Sequence, residues 1–238
     1  MLRGDETIHI SYVHHGEVNA FFMQGILDIV RKYPTTIGSY TGMQGLGLLT
    51  KTRNMAVAHF LDETKDDWML IIDADEYLPI SSFKKLIESA DNWKVPILSG
   101  LVFGVSNPLD ANYKPRPCIF KDNESSEDVG FDIYYDYKVN TLMQVAAAGT
   151  GCLLVHRRVF EQLREEYQEK VGKDWCWFTD GPYGNNDWIS EDLSFCKRVT
   201  ESGFKIHAHT GAILPHSKNI WVSEANYIKW LKDPDRLK

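Results

Sequence analysis

Apolar and polar residues alternate over 7–13, TIHISYV, with the two-residue period of a half-buried strand. The period then lengthens. In EVNAFFMQGILDIVRKY (17–33) the apolar residues recur at helical spacing, and Pro34 closes the segment. TTIGSYTG (35–42) predicts a second strand, followed by a glycine-rich link, GMQGLGLLT (42–50). KTRNMAVAHFLDET (51–64) predicts a helix with Met55, Val57, Ala58 and Leu61 turned inward. WMLIID (68–73) is apolar without a break until its last residue, as in a strand buried on both faces. SSFKKLIESADNW (81–93) predicts a helix with a serine cap, and VPILSGLVFG (95–104) a further strand.

Strand and helix alternate through this half, which predicts an α/β fold with a mostly parallel sheet. The rhythm breaks over 105–140, a stretch rich in proline, asparagine and acids. An irregular insertion with a short strand pair is expected there. Order resumes with LMQVAAAGTGCLLVH (142–156) and the helix RRVFEQLREEYQEKV (157–171). A second irregular stretch, 175–188, precedes a helix over 190–203, a strand over 204–210 and a terminal helix near 223–232.

A length of 238 residues fits one large domain with an elaborated edge. The formal charge of −7 argues against an extended basic face for nucleic acid. It leaves room only for a local contact through Lys114, Arg116 and Lys121. Cys118, Cys152, Cys176 and Cys196 form no C-x-x-C pair, so they read as reduced thiols and not as a zinc site. The first residues lack a long apolar run, and no stretch approaches the ~20 apolar residues of a membrane span. A soluble, cytoplasmic protein is the expectation.

The candidate chemistry lies in DDWMLIIDADEYLP (66–79), where a buried strand delivers Asp73, Asp75 and Glu76 at its tip. Residues i and i+2 of an extended chain point the same way, so Asp73 and Asp75 can face one point across the small Ala74. Ligands of open α/β sheets bind beyond the carboxyl ends of the strands. Two hard oxygen ligands there suit Mg²⁺ or Mn²⁺, and such an ion is most useful against a pyrophosphate. The same acids also suit a plain turn. An EF-hand is excluded, because Leu78 and Lys84 stand where it needs glycine and glutamate. No dinucleotide fingerprint, phosphate loop or G-x-S-x-G elbow is present.

KTRNMAVAHFLDETKDDWMLIIDADEYLP resembles the central block of GT-A-fold glycosyltransferases: an RN helix, an apolar strand and a D-x-D pair. AAGTGCLLVHRRVFE (147–161) resembles the small-residue strand and helix start of their acceptor half. SEDLSFCKRVTESGFKIHAHTGAILPH resembles their ED helix, following strand and late histidine. The resemblance runs over roughly residues 7–220. It implies a Rossmann-like mixed sheet with helices on both faces. Residues 1–104 would be the nucleotide-sugar half, 105–220 the acceptor half and 221–238 a C-terminal helix.

The resemblance also implies roles. Asp75 ligates Mn²⁺ or Mg²⁺, and Asp73 contacts the ribose and reaches the metal through water. His216 completes the metal site, with His209 as the alternative. Tyr12, Val13 and Ala74 lie along the nucleotide, and Arg53 and Asn54 bind the diphosphate. Asp192, beside Glu191, serves as general base for an inverting transfer to an acceptor hydroxyl. UDP-sugar is the default donor. Acids in a first helical turn are also stabilising through the macrodipole alone. Trp175, Trp177, Tyr183 and Trp188 could stack on a sugar or simply pack a loop, with Gly181 and Gly184 permitting closure. A retaining transferase, a nucleotidyltransferase of this fold and a non-catalytic sugar-nucleotide or glycan binder remain the alternatives.

Overall fold

The computed structural model describes residues 2–45, 47–105, 114–123, 130–171, 176–183, 187–218 and 224–232. The first half runs β1 (Ile8–His14), α1 (Ala20–Lys32), β2 (Ile37–Gln44), α2 (Leu49–Glu63), β3 (Trp68–Asp73), α3 (Ile80–Ser89) and β4 (Ile97–Leu101). The insertion supplies β5 (Phe103–Val105), β6 (Pro115–Pro117), β7 (Ile119–Asp122) and β8 (Phe131–Ile133). The second half holds β9 (Leu142–Val145), β10 (Ala147–Ala148), β11 (Cys152–His156), α4 (Arg157–Val171), β12 (Gly181–Tyr183) and β13 (Asp187–Ile189). It ends with α5 (Glu191–Glu201), β14 (Ile206–Ile213) and α6 (Glu224–Leu231).

Seven strands form the main sheet in the order β2-β1-β3-β11-β4-β14-β9. The continuous apolar run of β3 is explained by its place, because it pairs with β1 on one side and β11 on the other. Successive side chains of a strand point to opposite faces. Accordingly Met69 and Ile71 enter a core with α2, α4 and α5, while Trp68, Leu70 and Ile72 enter a core with α1 and α3. Helices therefore cover both faces, and one sheet runs through both halves of the chain.

The expectation of a mostly parallel sheet is corrected. β2-β1-β3 and β4-β14 are parallel, but β11 lies antiparallel between β3 and β4, and β9 is antiparallel to β14. Within α2, Met55 is turned out to solvent, while Thr52, Arg53, Asn54, Ala56, Val57 and Phe60 are buried. The expected serine cap of α3 is replaced by Pro79, with no side-chain cap. The predicted 95–104 strand is split into β4 and β5, β6 of the insertion pairs with β5 and β7 with β8, and β12 pairs antiparallel with β13. Trp175 and Gly184 fall outside the described residues. The four cysteines are free. No described helix is long and apolar enough to cross a membrane.

Arg157 locks the two halves at the base of the sheet. Its guanidinium donates to the carbonyls of Phe60, Leu61 and Thr64 at 3.0–3.1 Å and, through Nε, to Asp66 at 2.8 Å. The last carbonyls of a helix lack partners within it and carry the negative end of its dipole. An arginine at the start of α4 therefore caps the end of α2.

Candidate functional site

A cleft of about 860 Å³ opens beyond the carboxyl ends of β1 and β3, lined by Val13 and His14 on one strand and Asp73, Ala74 and Asp75 on the other. Its rim is completed by the approach to α1 (Glu17 to Asn19), by Leu49 and by Ser217 and Lys218. Asn19 caps α1 by accepting from Phe21 N at 2.8 Å, and it donates to Ser217 Oγ at 3.1 Å. The 215–217 segment is laced to the acidic turn by Tyr77 N donating to Pro215 O and Ser217 N donating to Asp75 O. That lacing carries His216 to the acids from the far end of the chain.

Asp75, Glu76 and His216 each offer a ligand atom, and these atoms lie within 4.8 Å of one another. His216 Nδ1 is 2.9 Å from Phe103 O, and Nε2 is 3.0 Å from Asp75 Oδ2. A carbonyl oxygen only accepts, so a proton on Nδ1 suits that contact. A neutral imidazole then turns the lone pair of Nε2 toward a carboxylate. A cation held at Nε2 beside Asp75 would satisfy that arrangement. Burial opposes the charge of Asp75, yet hydrogen bonds from His216 and Lys218 hold its pKa down to about 2. Lys218 Nζ sits 2.8 Å from the same Oδ2.

Glu76 is fully buried, and neither carboxyl oxygen has a hydrogen-bond partner. Its Oε1 lies 3.1 Å from His216 Nδ1, the atom that also faces Phe103 O. Burial, then repulsion from Asp75 and Asp73, pushes its pKa up to about 9. Two orphaned oxygens against an acid and a histidine are what a divalent cation would satisfy, and O,O,N donors fit Mn²⁺ or Mg²⁺. Sequence reasoning gave Glu76 no role. The one signal was its place directly after Asp75; its burial depends on His216, which pairs with it across a β-bridge.

The two aspartates do not converge by strand alternation. Asp73 ends β3, whereas Asp75 lies in the turn beyond it. Both line the cleft, but Asp73 Oδ1 accepts from Arg53 Nη2 at 2.9 Å while Asp75 faces His216. Arg53 is 4% exposed and also pairs with Glu191. Asn54 is buried, donating to Phe178 O at 2.7 Å and accepting from Phe178 N at 2.9 Å. Its amide holds the 176–180 segment on α2 and is not presented to the cleft. Asn54→Ala would leave both Phe178 backbone groups unpaired in the interior. It is expected to cost about 2–4 kcal/mol, read from urea unfolding.

Tyr12 packs edge-on to Phe22 with its ring against Gly42, where an added Cβ would come within 2.5 Å of the ring. Only a glycine on β2 allows that approach. Tyr12 is thus beside the cleft and not on its wall, whereas Val13 and Ala74 are on the wall. His209 accepts from Gly211 N at 3.1 Å on β14 and takes no part in the acidic cluster. Trp188 is exposed on β13 opposite Pro182, and Trp177 is buried with its indole N–H on Phe160 O. Neither lines the cleft.

At the start of α5, Asp192 Oδ1 accepts from Ser190 Oγ and from Leu193 N. Its Oδ2 receives no hydrogen bond from the described residues. Gly149 lies beside that oxygen, where an added Cβ would make ordinary contact at 3.6 Å. Glu191, the other expected catalytic acid, is committed to Arg53. Burial raises the Glu191 pKa, and the Arg53 charge opposes this.

No family model matches the sequence, and no curated protein matches it. Solved structures do match its shape. A197 from STIV superposes with a TM-score of 0.54 at 16% identity, over 90% of this chain and 86% of that one. GalNAc-T7, crystallised with UDP, GalNAc and Mn²⁺, gives a TM-score of 0.55 at 12% identity over 92% of this chain. The chain corresponds to only 44% of GalNAc-T7. At these identities the likeness concerns architecture. The mixed seven-stranded sheet with helices on both faces is a GT-A-like fold, the architecture it shares with GalNAc-T7.

Proposed function

We propose that the protein is a metal-dependent glycosyltransferase that takes a sugar from a nucleotide diphosphate, with a UDP-sugar as the first donor to test, and passes it to an acceptor hydroxyl with inversion. The observation that carries this reading is the Asp75–Glu76–His216 cluster at a cleft beyond the sheet, with two buried, unpartnered carboxyl oxygens. These three residues would hold Mn²⁺ or Mg²⁺. A bound divalent ion supplies charge neutralisation for a departing diphosphate.

The chain's own groups do the rest. Val13 and Ala74 give the wall on which the nucleoside lies. Asp73 keeps Oδ2 for the ribose while Oδ1 is held by Arg53. Lys218 is the one permanent cation on the described wall of the cleft, placed to follow a phosphate once Asp75 is otherwise engaged. Asp192 Oδ2 accepts the acceptor's proton as the hydroxyl attacks the anomeric carbon. Ser190 and Leu193 N fix its other oxygen.

The test is thermal unfolding with a panel of nucleotide sugars, with and without Mn²⁺, paired with release of free nucleotide. A ligand held by the native state raises its apparent stability with concentration. A Mn²⁺-dependent shift with turnover supports the transferase. A shift without turnover indicates a binder, and no shift with any donor ends the reading. Asp192→Asn is expected to lower transfer roughly 10²–10⁴-fold, the usual worth of a general base, while the Mn²⁺–UDP shift stays.

A further inference from the structure

One buried guanidinium joins the cleft to the start of α5. Arg53 extends from α2, with Nη2 on Asp73 Oδ1 at 2.9 Å and Nη1 on Glu191 Oε1. Its Nε has no partner. Asp73 lines the cleft, and Glu191 does not. The three residues come from α2, the tip of β3 and the first turn of α5. An arginine meant for phosphate keeps its fork of donors open to the ligand. Here both terminal nitrogens are spent on carboxylates, and 4% of the side chain is exposed. The adjacent residue on α5, Asp192, is the proposed general base, with Oδ1 held by Ser190 and Leu193 N.

We infer that Arg53 is a positioning residue that couples the Glu191 end of α5 to the Asp73 carboxylate of the cleft, and not a ligand of the diphosphate. The inference rests on the reading of the cleft as a donor site. An acceptor settling against Asp192 presses on the turn that carries Glu191. Through Arg53, that turn sets how Asp73 meets the donor. The two carboxylates also repel each other directly, so the part of their coupling carried by the guanidinium is the part that Arg53→Lys removes.

The test is a double-mutant cycle on the thermal shift produced by Mn²⁺ and UDP. Asp73→Asn, Glu191→Gln and the pair are compared, with Glu201→Gln at the far end of α5 as a control. The two effects on apparent affinity are expected to depart from additivity by about fivefold or more. In an Arg53→Lys background the departure should shrink, because one ammonium cannot fork between two carboxylates. Additivity within about twofold overturns the inference. If Arg53→Lys does not fold, the cycle in the native background decides alone. If the wild-type protein shows no shift with Mn²⁺ and UDP, the donor reading fails. The bridge is then judged by the same cycle on urea unfolding, where additivity overturns it and coupling sustains it.

Discussion

Asp75→Asn is expected to weaken Mn²⁺ binding roughly 100-fold or more, since even supporting residues around a metal are worth 10–100-fold. The argument begins with charge. Asp75 stays ionised to about pH 2 because His216 and Lys218 hydrogen-bond its carboxylate against the effect of burial. It is the exposed, anionic member of the cluster and the point where an entering ion first meets full negative charge. An amide keeps the shape and removes that charge. His216 would then face Mn²⁺ with only Glu76, which holds its own proton at neutral pH. Lys218→Ala should act in the opposite sense. Its ammonium competes for Oδ2, so its removal is expected to tighten Mn²⁺ binding by a few-fold, about the worth of a half-exposed ion pair. Calorimetric titration with Mn²⁺ alone reads both variants. Equal affinity of Asp75→Asn and the native protein would place the ion elsewhere.

How far the sequence revealed this site depends on where each contact comes from. β3 was legible to the residue, because an unbroken apolar run ending in an acid admits few other readings. α4 was legible for the same kind of reason, a helical period starting after a buried strand. α2 was misread on its inner face. Its buried positions include Thr52, Arg53 and Asn54, and the last two reach Glu191 and Phe178, more than 120 residues away. Periodicity turns apolar residues inward and has no means of seeing those partners, so it placed Met55 inside.

The place of β11 between β3 and β4 is a long-range pairing that no local period encodes. Glu76 escaped notice for a similar reason. A glutamate after a strand reads as a turn residue until Gly151 and His216 pack against it. Asp75 and His216 were singled out on a resemblance of residue type and order, and the structure brings their side chains together. The purely physical signal at Asp75 was shared with any acidic turn.

Glu76→Gln is expected to flatten the pH dependence of stability in the metal-free protein and to weaken Mn²⁺ binding at the same time. In the unfolded chain this carboxyl ionises near 4.5, and in the fold it is held to about 9. Between those values the native state keeps a proton that the unfolded chain gives up. Stability therefore falls as pH rises through this window, by at most about 1.4 kcal/mol per pH unit. His9 and His156, both lowered by burial to about 4, give the opposite slope, but only below their ordinary value of 6.5. From pH 6.5 to 8 Glu76 is the dominant source among these three. The gap between Glu76→Gln and the native protein should widen there by about 2 kcal/mol in the variant's favour. Urea unfolding at the two pH values measures it, and a constant gap would mean Glu76 is already ionised in the fold. Saturating Mn²⁺ should remove most of the native slope, because the ion takes the carboxylate in place of the proton. The same ion should do little for the variant, which offers a neutral amide where the second anionic ligand stood. A buried acid that costs the empty protein stability at neutral pH and recovers it on loading a cation has the thermodynamic signature of a ligand, and a structural carboxyl would lack the second half of that behaviour.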